Sequence, residues 1–460
     1  MSETQYDLIV IGAGPGGYTA AARAGELGMK VACVDKSALG GTCLNVGCIP
    51  SKALLESSEL YHKATAKLGA HGIHVSNVEF DLSTMMQRKD KIVSTMTKGI
   101  EALFKARGVT SYAGVGSLLG GGRVAVDATE GTQELQAQHI LLATGSAPAE
   151  LPDLPFDGER IISSTEALTL EQVPERMAVI GAGAIGLEMG SVWSRLGSEV
   201  VVVEFMEQIL PGMDTEMARQ LQRLLKRQGM DFRLQTGAKG FAVKKKAVQL
   251  QLESKGSADT VECDVVLVAV GRRPFTGGLG LEKAGVQMDE RGRVQVDAQW
   301  RTTAEGVWAV GDLIAGPMLA HKAEAEGIAA VESMAGKAGL VNADAIPGVV
   351  YTHPELASVG LTEEAAKAGD YEVAIGTYQF RANARAHAMG EIDGLVKIVA
   401  DAQTDRLLGL HILGAQASSL IAEGVLALEF SASVEDIART VHAHPALSEV
   451  IKEAAWSLAE

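Results

Sequence analysis

Cysteine is scarce in this chain, with four in 460 residues. So few exclude the cystine framework of a small secreted domain. Proline is also sparse, 12 against 52 glycines, which points to many tight strand-to-helix turns rather than proline-rich disorder. Basic residues are outnumbered: 41 Lys and Arg face 57 Asp and Glu, for a net charge of −16. A surface that grips nucleic-acid phosphates must be basic, so nucleic acid is not an expected partner, while the charge favours solubility and leaves room for a basic partner. No apolar run reaches the roughly 18 uncharged residues of a membrane-spanning helix. The opening residues, Met1 to Asp7, lack the basic and apolar regions of a secretory leader. A soluble, cytoplasmic protein without membrane contact is expected, and in that reducing setting a disulfide is more readily catalytic than structural. With 47% hydrophobic and 21% charged residues, the composition is that of ordinary globular domains, about three for this length.

Two of the four cysteines stand in Gly40-Gly41-Thr42-Cys43-Leu44-Asn45-Val46-Gly47-Cys48-Ile49-Pro50-Ser51-Lys52. In a regular helix, positions five apart are turned by about 140° and displaced by about 7.5 Å, too far to bond. A bridge between Cys43 and Cys48 therefore needs a distorted turn, which the three glycines permit, and such a bond suits opening and closing. Taken alone, the pair is also compatible with two inert buried thiols. A zinc site is disfavoured because Cys33 and Cys263, the two others, sit in apolar strand-like runs; no metal is expected.

The stretches around this segment are duplicated. Leu8 to Ile11 is a continuous apolar run, as in a buried parallel strand. Gly12, Gly14 and Gly17 follow, then a helix to Leu27-Gly28 and a second strand, Lys30 to Val34, ending at Asp35. Strand, glycine turn, helix, strand and acid form a dinucleotide-binding unit: the pyrophosphate approaches a helix N-terminus, and the acid takes the ribose hydroxyls. At an offset of 169 residues Gly181, Gly183, Gly186, Leu196, Gly197 and Glu204 repeat Gly12, Gly14, Gly17, Leu27, Gly28 and Asp35. Two dinucleotide sites are expected. Glu204 favours NAD, because a carboxylate repels a 2′-phosphate and Phe205 to Gln208 supply no arginine. The first of these cysteines lies eight residues after Asp35, so the first site would bring a redox ring near the thiols. FAD is the group that exchanges electrons with both a dithiol and a nicotinamide.

A second echo links Leu141–Pro148, with Thr144, Gly145 and Ser146, to Leu267–Pro274, with Gly271: each is a buried strand that breaks at glycine where the chain changes domain. Val307–Asp312 ends in an acid at a strand terminus, where open α/β sheets bind ligands. Residues 51–67, 83–107 and 213–229 read as helices, and 109–127 as strands with turns at Gly114 and Gly120–Gly122. Residues 241–268 read as hairpin strands, and 349–359, 371–380, 394–400 and 406–413 as later strands, the last two a hairpin. The fold class is α/β: two Rossmann-like domains, 1–149 for FAD and 150–275 for NAD, a return to the first over 276–346, and a C-terminal α+β dimerisation domain, 347–460. In the tail, His442-Ala443-His444-Pro445-Ala446-Leu447-Ser448-Glu449 precedes an apolar helix. Pro445 suits the helix's first turn, and Glu449 can orient His444 as an acid–base pair. His442, His353 and His321 read as structural or cofactor-adjacent.

The cysteine stretch, Gly181–Glu188, Met318-Leu319-Ala320-His321-Lys322-Ala323-Glu324 and the terminal His-Pro…Glu together resemble the pyridine nucleotide–disulfide oxidoreductases along essentially the whole chain. Within them they resemble the branch that oxidises protein-bound dihydrolipoamide. The resemblance implies a flavoprotein homodimer whose sites are each completed by the partner's C-terminal domain. It implies that Cys43 forms the mixed disulfide with lipoamide and Cys48 is the thiolate against the flavin. Lys52 would lie near the flavin and pair with Glu188, and His444, oriented by Glu449, would take a proton from the substrate thiol. Asp35, Thr42, Gly114, Thr144–Ser146, Asp312 and Met318–His321 would hold FAD; Gly181–Glu188, Glu204, Ala238 and Gly271 would hold NAD. Implied partners are lipoyl domains and the peripheral subunit-binding domain of 2-oxoacid dehydrogenase complexes. Two positions depart from the pattern: Asp35 stands for a glutamate, and Ala446 for a threonine. Glutathione reductases, which prefer NADP, are opposed by Glu204. Mercuric reductases are opposed because no cysteine follows Cys263, and a purely scaffolding subunit is opposed by the intact catalytic set.

Overall fold

The computed structural model describes residues 4–244 and 247–459. Met1–Glu3 of the segment read for a leader, Lys245–Lys246 of the expected hairpins, and Glu460 lie outside the described residues. The chain divides into two compact units. One comprises Met1–Ala53, Ser83–Ala149 and Gly271–Val341, and the other Leu54–Leu82, Glu150–Val270 and Asn342–Glu460.

In the first unit, the apolar run at Leu8 lies in strand Thr4–Ile11. Val31–Asp35 pairs with it in parallel on one side and Gly131–Leu142 on the other. Leu8, Ile9 and Val10 are all 0% exposed. Successive side chains of a strand face opposite ways, so both faces are buried and the run shows no polar alternation. Thr110–Ala113 extends the parallel sheet, Val307–Ala309 adds a strand beside Gly131–Leu142, and Val115–Gly120 with Arg123–Ala128 forms an antiparallel meander. The two echoed crossover segments pair with each other: Arg272 lies opposite Pro148 and Pro274 opposite Ser146, antiparallel.

The second unit holds a parallel sheet in the order Asp231–Arg233, Glu199–Val203, Arg176–Ile180, Val265–Val268 and Ile161–Ile162. The hairpins expected over 241–268 are a meander of Thr236–Lys244, Ala247–Ser254 and Ser257–Cys263. Val265–Val268 is not part of it. At Asp264 the chain changes sheets: the Arg176 N–H donates to the Asp264 carboxylate and the Asp264 N–H to the Arg176 carbonyl, both at 2.9 Å. The same unit holds a five-stranded antiparallel sheet that includes the expected hairpin, with Leu395 opposite Leu413 and Ala400 opposite Leu407. The single strand expected over 349–359 is two, Gly348–Val350 and Glu355–Gly360. Between them the Tyr351 N–H donates to Glu188 at 3.0 Å, and Pro354 has no N–H to give a ladder. Among the described residues no helix is long and apolar enough to cross a membrane.

A buried ion cluster ties this antiparallel sheet to the helix Thr215–Arg227. Asp214 caps that helix, accepting from the N–H groups of Glu216 and Met217. Its carboxylate lies 2.9 Å from Lys397 Nζ, which also meets Glu363 at 2.5 Å and Glu216 at 3.4 Å. The Lys397 and Asp214 side chains are 1% and 0% exposed. Burial alone would lower the Lys397 ammonium, but hydrogen bonds to Glu363 and Asp214 raise it above its ordinary value. Removing one member of such a cluster leaves a buried charge uncompensated. Lys397→Met is therefore expected to lower the unfolding free energy in urea by about 3–5 kcal/mol, and Lys397→Met with Asp214→Asn to recover part of it. A single variant within 1 kcal/mol of the parent on the scale of surface pairs would refute this.

Candidate active site

Cys43 and Cys48 are joined by a disulfide with Cα atoms 4.7 Å apart. The distortion that this needs is a break between two helices. Gly41–Val46 ends at Gly47, and Cys48–Ala66 begins at the next residue. A Cβ at Gly47 would lie 2.9 Å from the Thr42 carbonyl oxygen and 3.2 Å from Cys43 Cα, so only glycine lets the two helices meet so closely. Asn45 pins the segment, donating to the Gly41 carbonyl at 2.9 Å and the Leu39 carbonyl at 3.1 Å. Both sulfurs belong to half-buried residues, and Thr42 is exposed. Cys48 opens a 19-residue helix, where unpaired N–H groups and the macrodipole stabilise a thiolate; half-buried Lys52 sits one turn further on.

The two dinucleotide units share one backbone geometry. Gly12 and Gly181 have φ +102° and +101°. A Cβ on them would strike the carbonyl oxygens of Ala143 at 2.4 Å and Ala269 at 2.5 Å. Gly17 and Gly186 press equally hard on the carbonyls of Gly12 and Gly181. Gly14 and Gly183 cap the helices Pro15–Glu26 and Ala184–Arg195 without a side-chain hydrogen bond, which leaves N–H groups to receive a pyrophosphate. The terminal acids repeat as well: Asp35 accepts the Ala13 N–H at 2.6 Å, and Glu204 the Ala182 N–H at 2.7 Å. Beside Asp35 lies a cavity of about 520 Å³ lined by Ser37, Tyr112 and Ala113 among others. Gly114 N–H bonds the Asp35 carbonyl. These cradles fit dinucleotides. Arg233, opposite Val203, is engaged by Asp231 and Asp259, so no free guanidinium from that strand offsets the Glu204 charge. Ala238 is half-buried at a bulge of Thr236–Lys244, and Gly271 is exposed. Glu188, buried in Ala184–Arg195, accepts from Tyr351.

Sequence reading missed the network that aims Asp312. Ser146 Oγ donates to Asp312 Oδ2 at 2.5 Å and accepts from Arg272 Nε at 2.7 Å. Burial lowers the Arg272 guanidinium, and the charge of Asp312 opposes that. Because arginine only donates, the serine proton points to Asp312. The signal was present in the echoed segments Gly145-Ser146-Ala147-Pro148 and Gly271-Arg272-Arg273-Pro274, read there as crossovers. A second missed pair, Lys322 and Glu326, is buried: Glu326 accepts the Gly311 N–H at 2.8 Å. Thr144 Oγ1 donates to the Phe275 carbonyl at 2.7 Å, and Gly145 takes φ +68° beside it. Met318 and Leu319 lead into the helix Ala320–Met334, with His321 exposed in its first turn.

In the tail, His444 Nδ1 lies 2.8 Å from Glu449 Oε1, and the other Glu449 oxygen accepts the Ala446 N–H at 2.9 Å. The Ala446 and His444 hydrogen bonds hold the Glu449 carboxyl below its ordinary range. Pro445 is not in the helix's first turn as expected. The helix begins at Glu449, because Glu449 takes the Ala446 N–H and closes a turn ahead of the helix. The His444 side chain is 73% exposed. His442 bonds Glu423 at 2.7 Å. His353 joins Glu59 and Glu391, which among the described residues could group as metal ligands. Lys63, Lys67 and Arg195 lie against the same oxygens, so the group is an ion-pair network rather than a cation site.

Two nucleotide cradles, a dithiol at a helix start and an oriented imidazole define a disulfide oxidoreductase class. The chain belongs to the pyridine nucleotide-disulphide oxidoreductases: the family model matches residues 6–327, and the family's dimerisation domain residues 346–455. It is 53% identical to a mitochondrial dihydrolipoyl dehydrogenase of Pisum sativum, over 98% of this chain and 91% of that protein. It is 51% identical to dihydrolipoyl dehydrogenase 3 of Pseudomonas aeruginosa, over 98% of both, and 51% identical to a leghemoglobin reductase of Glycine max, over 98% and 87%. Its fold is similar to that of LpdA from Mycobacterium tuberculosis, with a TM-score of 0.91 at 29% identity over 98% and 99% of the chains.

The ion-pair network carries a pH dependence. Burial alone would raise the Glu391 carboxyl, yet the hydrogen bond from His353 and the charge of Lys67 hold it at about 2, against an ordinary 4.5. A depressed folded value stabilises the fold above the unfolded value and is lost as the proton returns. The stability difference between parent and Glu391→Gln is therefore expected to be full above pH 4.5 and to vanish as pH falls towards about 2. A difference independent of pH in acid-unfolding curves would refute it.

Proposed function

We propose that this chain is a dihydrolipoyl dehydrogenase, with FAD and NAD as cofactors: it oxidises the dihydrolipoyl group of a carrier protein and reduces NAD⁺. The Cys43–Cys48 bridge at a helix start carries the reading, supported by full-length relatives of about half identity that bear that name. Residues 1–149 form the FAD domain, 150–275 the NAD domain, 276–346 the return to the first, and 347–460 the interface. The first unit's leaving at Ala149 and resuming at Gly271 supports the return, whereas Leu54–Leu82 groups with the second unit, which also holds 150–270 and 342–460.

A dihydrolipoyl thiolate attacks Cys43 Sγ. The Cys43–Cys48 bond breaks, and Cys48 leaves as a thiolate stabilised by its helix N-terminus. His444, held through Nδ1 by Glu449, takes the proton of the second lipoyl thiol. That sulfur then attacks the lipoyl sulfur of the mixed disulfide, releasing oxidised lipoamide and leaving the electron pair on the cysteines. Bound FAD would supply two-electron transfer between that reduced cysteine pair and the nicotinamide of NAD⁺. Asp35, Thr42, Lys52, Gly114, Thr144–Ser146, Asp312 and Met318–His321 would hold FAD. Gly181–Glu188, Glu204, Ala238 and Gly271 hold NAD.

The matched dimerisation domain supports a homodimer. That region exposes Leu426 (58%), Phe430 (77%) and Val441 (90%), apolar surface that a partner would cover. Lipoyl domains and the peripheral subunit-binding domain of 2-oxoacid dehydrogenase complexes are the wider partners. The setting is a reducing compartment, the cytoplasm in our reading, although named relatives include mitochondrial forms.

Anaerobic titration with dihydrolipoamide is expected to raise a long-wavelength thiolate-to-flavin band, discharged by NAD⁺ as NADH forms. Cys43→Ser should retain flavin and lose lipoamide turnover at least a thousandfold on the scale of a lost nucleophile. Substantial turnover in this variant would remove the interchange role. His444→Ala is expected to cut dihydrolipoamide oxidation by a factor on the order of 10²–10⁴ while NADH-to-dye electron flow persists. Equal loss of both activities would make His444 structural.

A further inference from the structure

We infer that Phe205 is the adenine platform of the second dinucleotide cradle, a side chain that sets affinity for the pyridine nucleotide without touching its reacting end. This rests on the proposed assignment of that cradle to NAD. Phe205 directly follows Glu204, yet the acid is 8% exposed and the ring 77% exposed. The loop around them is firmly held. Met206 N–H donates to Glu204 Oε1 at 2.8 Å, Gln235 N–H to the Met206 carbonyl at 3.0 Å, and Thr236 N–H to the Glu204 carbonyl at 2.9 Å. A pinned loop thus presents a large apolar ring to water, where a flat aromatic ligand gains by covering it.

The acid beside the ring says which part of the ligand comes there. Gly114 N–H closes onto the Asp35 carbonyl at 2.9 Å, as Thr236 N–H closes onto that of Glu204. Beside Asp35 this closure borders the cavity of about 520 Å³ that Ser37 and Ala113 help to line. At the offset of 169 residues Met206 takes the place of Ser37 and Phe205 that of Lys36, which does not line that cavity; the second cradle differs in carrying an exposed ring next to its acid. A Cβ on Gly237 would sit in ordinary contact with Phe205 Cδ2, at 3.8 Å, so the ring stands directly against the start of that strand. Glu204 is an acceptor for ribose hydroxyls, and the adenine is attached to the carbon next to the one that bears the 2′-hydroxyl. The base therefore has to lie beside the carboxylate, where the ring stands.

Calorimetric titration of the holoenzyme with ADP-ribose, which has the adenosine half of NAD but no nicotinamide, tests this without turnover. Phe205→Ala is expected to raise the Kd about five- to tenfold, the scale of one aromatic stacking contact, and Phe205→Trp to keep it near the parent value. In steady-state assays Phe205→Ala should raise the KM for NAD⁺ by the same factor with little change in kcat. The KM for nicotinamide mononucleotide, which lacks adenine, should not follow. An unchanged Kd in Phe205→Ala, or an equal rise in KM for the mononucleotide, overturns the platform and leaves the NAD assignment standing. Failure of the parent holoenzyme to bind ADP-ribose overturns both.

Discussion

The chemistry of this chain depends on a helix that is interrupted for one residue. In a continuous helix, Cα atoms five apart lie about 9 Å from one another, whereas those of Cys43 and Cys48 lie 4.7 Å apart. Gly47 makes the difference, since no side chain fits between it and the turn of Thr42 and Cys43. The same break gives Cys48 the first position of a new helix. One glycine therefore closes the bridge and also sets the sulfur that leaves in the proposed exchange against the positive end of a dipole. The two cysteines are thereby unequal: Cys43 lies in the first turn of a helix of six residues, whose dipole is far smaller than that of the 19-residue helix opened by Cys48.

A second constraint, close approach of backbone to backbone, is met twice in the same way. The glycines at 12 and 17, and again at 181 and 186, leave no room for a Cβ, and the acid at the end of each second strand accepts the N–H after the first glycine. Asp35 reaches its N–H as closely as Glu204 does despite its shorter side chain. Its other oxygen accepts from the N–H and hydroxyl of Ser37. The departure at position 35 is thus absorbed by local hydrogen bonds.

Local patterns were legible where the sequence repeats or where period and turn residues agree: both βαβ units, the long helices and the C-terminal hairpin. What escaped depends on partners distant in the chain. The break at Tyr351 is fixed by Glu188, and the departure of Val265–Val268 from the meander by Arg176. The setting of Asp312 depends on Arg272 through Ser146, residues 126 and 166 positions from the serine. The helix start after Pro445 was misread for a related reason: Glu449 was expected to orient an imidazole, but it also holds the Ala446 N–H. The cysteine bridge was legible as a possibility from spacing, and only the geometry at Gly47 separates it from two inert thiols.

The tail also bears on assembly. His444 has one ring nitrogen held by Glu449, yet its side chain is 73% exposed. A general base works within hydrogen-bond reach of the proton it takes and away from bulk water. An imidazole so firmly aimed and so open is poised for a thiol that arrives with another surface. The same region exposes Phe430 and Val441, and it is the part matched by the dimerisation domain. Exposure of the imidazole and of the apolar face would have one common explanation in the proposed homodimer: a second copy would cover both and enclose the imidazole where, in the proposed mechanism, the substrate's thiol is deprotonated.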